Sequence, residues 1–284
     1  MLSEMDQKKS DSFPSKILLF GEYLVLQRGQ AISIPYKKFS LQKTFVEKSN
    51  KAYLLKFFEF ISSNEIFKNK ISEQFIIDIE RGLSFESNIP VGYGLGSSGA
   101  IVALIYDHYI LEKKNEFLEV KYELGQLENF FHNNSSGVDP LTSFLQMPIH
   151  IAPDESSILC HEISLASFYL HDSGIKRNAK VAIDHFAKLS KSEPFQNELM
   201  KLSNLNNNII QNVIDQKRIL NEMQQFSEMQ LELFGDFIPE PTKKLWEYGI
   251  TSKTYWMKLC GAGMGGMFLV YSETPQDQFE PIVG

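Results

Sequence analysis

Gly92, Gly94, Gly96 and Gly99 fall within eight residues, with Ser97 and Ser98 among them and an apolar run, residues 101–111, directly behind. Glycines let a backbone approach a ligand closely and take positive φ. Where a helix starts, its unpaired N–H groups favour an anion. One exposed helix end contributes only ~0.3–1 kcal/mol, so a phosphate reading needs several amides converging on one chain of phosphates. The plainer alternative is a tight turn with a serine cap, and four glycines are more than such a turn requires. A second cluster stands at Gly261, Gly263 and Gly266. Both match the spacing GxGxxG, yet neither sits in a dinucleotide-binding context. The first is not followed by a strand ending in an acid, and the second leads into a strand where a helix is needed. The Gly-Lys-Ser/Thr of a P-loop is absent.

These loops need elements to hold them. Short apolar runs at 16–20 and 31–34, around a turn with Arg28 and Gly29, read as strands. Residues 51–67 carry apolar residues at helical spacing, and 74–79 (QFIIDI) reads as a strand. The first glycine loop then leads into a helix, and a second helix at 116–131 ends in the polar loop 132–136. Past residue 150 the pattern shifts. A strand at 167–170 runs into Asp172-Ser173-Gly174, and 179–235 is helical in composition, with the Asn-rich stretch 204–208 as a helix junction. Pro239 and Pro241 break that run before a short helix at 242–247. Residues 255–259, 261–266 and 267–271 read as strand, glycine loop, strand. This divides the chain into domains at 1–157 and 158–284.

The 284 residues suffice for a sizeable core, and 43% hydrophobic with 22% charged residues is an ordinary globular composition. A net charge of −7 argues against non-specific binding to nucleic acid or membranes, while leaving room for a locally positive pocket. Cys160 and Cys260 have no partner at metal-like spacing, so neither a disulfide framework nor a structural zinc site is expected. Residues 1–12 lack the apolar core of a signal peptide, and no apolar run approaches the ~20 residues of a membrane span. A cytoplasmic protein is the expectation, and the glycosylation triplets at Asn133 and Asn134 then carry little meaning.

Four patches, in order, resemble the GHMP kinase superfamily and within it the mevalonate kinases. Ser15-Lys16-Ile17-Leu18-Leu19-Phe20-Gly21-Glu22-Tyr23 is similar to the family's first motif, P-G-K, a short apolar run, then G-E-H. Pro90-Val91-Gly92-Tyr93-Gly94-Leu95-Gly96-Ser97-Ser98-Gly99 resembles its phosphate loop, P-x-G-x-G-L-G-S-S-A/G. Glu128, His132, Ser136-Gly137 and Asp139 stand at mevalonate kinase offsets. Lys258-Leu259-Cys260-Gly261-Ala262-Gly263-Met264-Gly265-Gly266 resembles the third motif, K-x-T/S-G-A/S-G-G-G-G. The chain departs from the pattern at Tyr23, where the family's usual histidine contacts the acceptor, and at Cys260 and Met264, which replace a hydroxyl residue and a glycine.

The resemblance implies an α+β, two-domain fold with the active site in the interdomain cleft. It also implies ATP-dependent phosphorylation of a small-molecule hydroxyl, (R)-mevalonate first, in isoprenoid biosynthesis. Asp139 would take the hydroxyl proton, with Lys16 beside it. Ser98 and Glu128 would hold Mg²⁺, whose few protein ligands are hard oxygens. Pro90, Gly92, Gly94, Leu95, Gly96, Ser97, Ser98 and Gly99, with Gly261, Ala262 and Gly263, would bind ATP. Glu22 and Tyr23 would face the acceptor, Glu22 either bonding it or holding Lys16. His132 stays outside the catalytic set. Read without the motifs, Glu128 is a solvated helix carboxylate, Asp139 a turn residue before Pro140 and Lys16 an ordinary surface lysine. Other acceptors (phosphomevalonate, homoserine or a sugar) and a non-catalytic nucleotide sensor remain alternatives, with a monomer or homodimer in either case.

Overall fold

The computed structural model describes residues 11–27, 29–132, 135–153 and 156–282. Arg28, Asn133, Asn134 and most of the N-terminal segment lie outside them. The chain forms two compact units that are interleaved in sequence and do not meet at a single position such as 157–158. Two long strands, β1 (Ser12–Phe20) and β2 (Ala31–Phe45), run from one unit into the other.

The first unit takes in β1 up to Lys16, Pro35–Ile89 and Gly96–Met147. Its centre is α3 (Ser97–Tyr109), which buries eight of its thirteen residues and packs on α4 (Phe117–Glu128) and α5 (Val138–Leu145). A helix apolar on most of its surface belongs in a core. The far half of β2 pairs antiparallel with β3 (Leu83–Ser87), and α1 (Lys51–Ser63) packs on α2 (Gln74–Glu80).

Helix α2 corrects the expectation of a strand at 74–79. Its isoleucines favour β structure, but Phe75 and Ile79 are buried four residues apart while Ile76 and Ile77 face solvent. That is helical spacing. The buried Asp78 completes the face, accepting hydrogen bonds from Tyr109 Oη at 2.7 Å and Gln74 Nε2 at 2.7 Å. Tertiary anchoring overrode local propensity.

The second unit takes in Ile17–Ile34, Pro90–Leu95 and the chain from Pro148 onward. The near half of β2 pairs antiparallel with β4 (Ile149–Ile151), which pairs with β5 (Ile158–Cys160). A second antiparallel sheet has the order β7 (Trp256–Leu259), β8 (Met267–Tyr271), β6 (Phe168–Asp172), β9 (Glu280–Pro281). Helices α6 (Ala179–Leu189), α7 (Glu193–Ile214), α8 (Leu220–Leu233) and α9 (Glu240–Ser252) follow β6. Trp246 of α9, fully buried, donates Nε1–H to Ser227 Oγ of α8 at 2.8 Å. Gln230 Oε1 of α8 accepts the Leu259 amide of β7 at 2.9 Å, which satisfies a polar group on an edge strand.

The Asn-rich stretch 204–208 is not a junction: it lies inside α7. Leu199, Leu202, Asn206, Ile209, Ile210 and Val213 form one buried helical stripe, and Asn206 Nδ2 donates to the Gln30 carbonyl at 3.1 Å. The apolar stripe, more than the propensity of the asparagines, holds this helix.

Candidate active site

In the first unit, chain order brings together residues far apart in sequence. Lys16 Nζ lies 2.9 Å from Asp139 Oδ1, with the lysine side chain 5% and the aspartate 33% exposed. Asp139 occupies the first turn of α5, where the helix end favours a negative charge. Gly99 of α3 packs on the backbone of Asp139 and Pro140, and Gly96, in the left-handed region at φ 74°, caps α3 against the Lys16 side chain. Any side chain at 96 would meet Lys16 Cγ at 2.8 Å, so the lysine's position depends on that glycine.

At the second residue of α3, Ser98 Oγ donates to Glu128 Oε1 at 2.9 Å and lies 3.1 Å from His132 Nε2. Ser135 Oγ donates to the other carboxylate oxygen at 2.5 Å. Glu128 is 4% exposed. Burial pushes its carboxyl up from 4.5 to about 7, with the Asp139 charge adding to the rise against the pull of Ser135, Ser98 and Lys16. A divalent cation would reverse that penalty. Hydroxyl and carboxylate oxygens suit Mg²⁺. Among the described residues no group of three or more His, Cys, Asp or Glu could hold a metal, so a cation at Ser98 and Glu128 would need phosphate and water oxygens as well.

This predicts a pH dependence. A carboxyl whose pKa is raised on folding stabilises the fold below its ordinary pKa and ceases to do so as pH climbs through the folded value. The metal-free protein is expected to lose stability at Glu128 between pH 4.5 and about 7, on the order of a few kcal/mol. Glu128→Gln should remove the loss, so its thermal midpoint relative to the unaltered chain should rise between pH 5 and pH 8. An equal difference at both values would show that no buried charge is involved.

In the second unit lie Pro90–Leu95, the first part of the first glycine loop, and the whole of the second glycine loop, between β7 and β8. A segment the sequence reading passed over lies against both. Strand β6 pairs with β8, so its extension Ser173–Arg177 is carried along the loops. The Ser173 amide donates to the Gly266 carbonyl at 3.1 Å, the Gly266 amide to Ile175 at 2.7 Å and the Arg177 amide to Gly92 at 3.0 Å. The Lys176 stem lies on Gly92, and Arg177 Nη1 fills the space that side chains at Gly94 and Gly261 would occupy, 2.5 Å from the position of a Cβ at 261. That nitrogen is buried and has no hydrogen-bond partner among the described residues. The sequence offered only a basic pair after a turn, a pattern usually solvated. Pro90 is partly exposed and Leu95 is buried at 1%.

Glu22 and Tyr23 have their partners in this unit. Glu22 Oε1 accepts from Lys258 Nζ at 2.5 Å, both side chains fully buried. Burial raises the Glu22 carboxyl pKa, against the pull of Lys258 and nearby backbone groups. Tyr23 Oη donates to the Ala262 carbonyl at 2.6 Å. Lys16 is paired with Asp139, not Glu22. Cys260 is 2% exposed, a small buried residue, and Met264 adopts positive φ, at 59°.

Residues 58–146 match the family model described as GHMP kinases N terminal domain. Solved structures of GHMP kinases align with more than nine-tenths of the chain. The chain has the GHMP kinase fold. It aligns with mevalonate kinase of L. major at TM-score 0.63 and 15% identity, over 96% of this chain and 90% of that one. Mevalonate kinase of Methanococcus jannaschii gives TM-score 0.63 and 15% identity, over 92% and 90%. Phosphomevalonate kinase of Streptococcus pneumoniae, in complex with phosphomevalonate and AMPPNP, gives 0.67 and 14%, over 93% and 92%. No curated protein sequence matches the chain. The GHMP kinase resemblance and the α+β, two-domain class drawn from the four motifs are thereby borne out. Among the described residues no helix is long and apolar enough to cross a membrane.

Proposed function

We propose that this GHMP-fold chain transfers the γ-phosphoryl group of ATP to a hydroxyl of a small molecule, with (R)-mevalonate as the preferred acceptor and isoprenoid biosynthesis as the setting. The observation that carries the reading is the Lys16–Asp139 ion pair at the first turn of α5, in the same unit as the Ser98–Glu128 pair at the start of α3. Phosphoryl transfer asks a protein mainly for positioning and charge neutralisation, and these groups supply both.

The acceptor oxygen forms a bond to the γ-phosphorus as the bond to the β-phosphate oxygen breaks, and ADP leaves. Asp139 receives the hydroxyl proton, a role typically contributing ~10²–10⁴ in rate. Lys16, paired with Asp139 at 2.9 Å, offers positive charge to the phosphoryl oxygens. Ser98 and Glu128 would hold Mg²⁺, which neutralises phosphate charge when bound. The glycine loops present backbone N–H groups, and Arg177 offers a buried guanidinium N–H with no hydrogen-bond partner among the described residues. The mevalonate preference is supported by Glu128, His132, Ser136-Gly137 and Asp139 at mevalonate kinase offsets. One observation favours a second acceptor: Tyr23 stands where those enzymes carry histidine, and its hydroxyl is engaged by Ala262.

ADP release with Mg·ATP, offered (R)-mevalonate, phosphomevalonate, homoserine and galactose in parallel, tests both readings. Turnover selective for mevalonate is the expected result. Turnover on another acceptor alone would keep the kinase and discard the substrate, and ATP binding without turnover on any would point to a sensor.

A further inference from the structure

Glu22 and Tyr23 close the first motif, and both side chains point to the third. Glu22 holds Lys258, which also donates to the Leu259 carbonyl at 2.6 Å. Tyr23, the next residue, holds the carbonyl of Ala262, four residues past Lys258. Consecutive residues thus grip both ends of the stretch 258–262, which contains Gly261.

The tyrosine is fixed before it bonds. Its ring stacks on Phe186 (centroids 4.3 Å apart, planes at 21°) and on Phe234 (5.3 Å, 15°), with Phe237 edge-on at 5.5 Å. The residue is 5% exposed, and its backbone sits at φ 60°, a conformation that costs any residue with a side chain. Such strain persists where the surroundings over-determine it. The loop it reaches has glycine, free of that cost, at Gly261 and Gly263, with φ 87° and 69°. A flexible loop gains most from one well-aimed anchor, because ordering it in advance lowers the entropy lost when a ligand binds. A histidine ring is shorter than a phenol and would not reach the same carbonyl with the same backbone.

We propose that Glu22 and Tyr23 are positioning residues for the Gly261–Gly263 loop, acting on nucleotide binding, and that Tyr23 does not contact the acceptor. The assignment rests on the kinase reading above, which gives that loop to ATP.

Tyr23→Phe in the full chain keeps the ring and its aromatic clamp and removes only Oη. The dissociation constant for Mg·ATP, measured calorimetrically without acceptor, is expected to rise about two- to tenfold, the range for one lost hydrogen bond. The KM for (R)-mevalonate, or for whichever of the four acceptors is turned over, should stay within about twofold of the unaltered chain. An unchanged nucleotide constant overturns the proposal, and a raised acceptor KM beside it would return Tyr23 to the acceptor. Tyr23→His should weaken Mg·ATP at least as much, and tighter nucleotide binding by that variant would also overturn it. If the unaltered chain binds no Mg·ATP, the kinase reading fails first, before any variant is compared, and the assignment falls with it.

Discussion

Asp139→Asn is expected to lower single-turnover ADP formation by ~10²–10⁴ while leaving Mg·ATP affinity nearly as it was. Asparagine keeps the shape and one acceptor oxygen, so Lys16 retains a hydrogen-bond partner at the place where its ion pair measured 2.9 Å. What disappears is a site able to take a proton. The backbone of the region should not move, because Gly99 packs on main-chain and Cβ atoms of residue 139 and not on its carboxylate. Turnover within about tenfold of the unaltered chain would show that Asp139 merely orients the hydroxyl. A large rise in the Mg·ATP dissociation constant would assign it to the nucleotide instead.

Arg177→Ala is expected to lower kcat/KM by ~10²–10³, the range for removing one donor aimed at developing charge. The second readout separates this from a structural role. Nη1 is buried with no hydrogen-bond partner among the described residues, an arrangement that costs free energy. Truncation should therefore leave the thermal midpoint unchanged or raised. Lysine at 177 should not rescue activity, since a single ammonium cannot reproduce the planar fork of a guanidinium. Activity retained with stability lost would mean that Arg177 serves only to pack Gly94 against Gly261.

The sequence made much of this visible, and its failures have physical causes. The first glycine loop was legible because close backbone approach restricts which residue types can serve, whereas Lys16, Ser98, Glu128 and Asp139 stood out only through their places in motifs that resemble the family's. The pairing of Lys16 with Asp139 and of Ser98 with Glu128 follows those motifs into space. Arg177 was not legible, since its place is set by the β6–β8 register, which carries Ser173–Arg177 past Gly266. Nothing in a Lys-Arg pair records that neighbour. Helix α2 was missed because isoleucine-rich runs favour strands locally, and the contact from Tyr109 on α3, distant in sequence, helps to show why Asp78 belongs inside. The substitution at Tyr23 could be read, but not its partner 239 residues away.

The two thiols give the molecule a reporter of its own motion. Cys160 is half-buried, and burial raises its pKa, so an alkylating reagent should reach it slowly at neutral pH and faster in alkali. Cys260, 2% exposed between Leu259 and Gly261, can be alkylated only when the start of the second glycine loop lifts. Its labelling rate therefore counts openings of that loop. Loading with Mg·ATP should slow Cys260 selectively, and Tyr23→Phe should quicken it, giving a readout of loop order that needs no turnover at all.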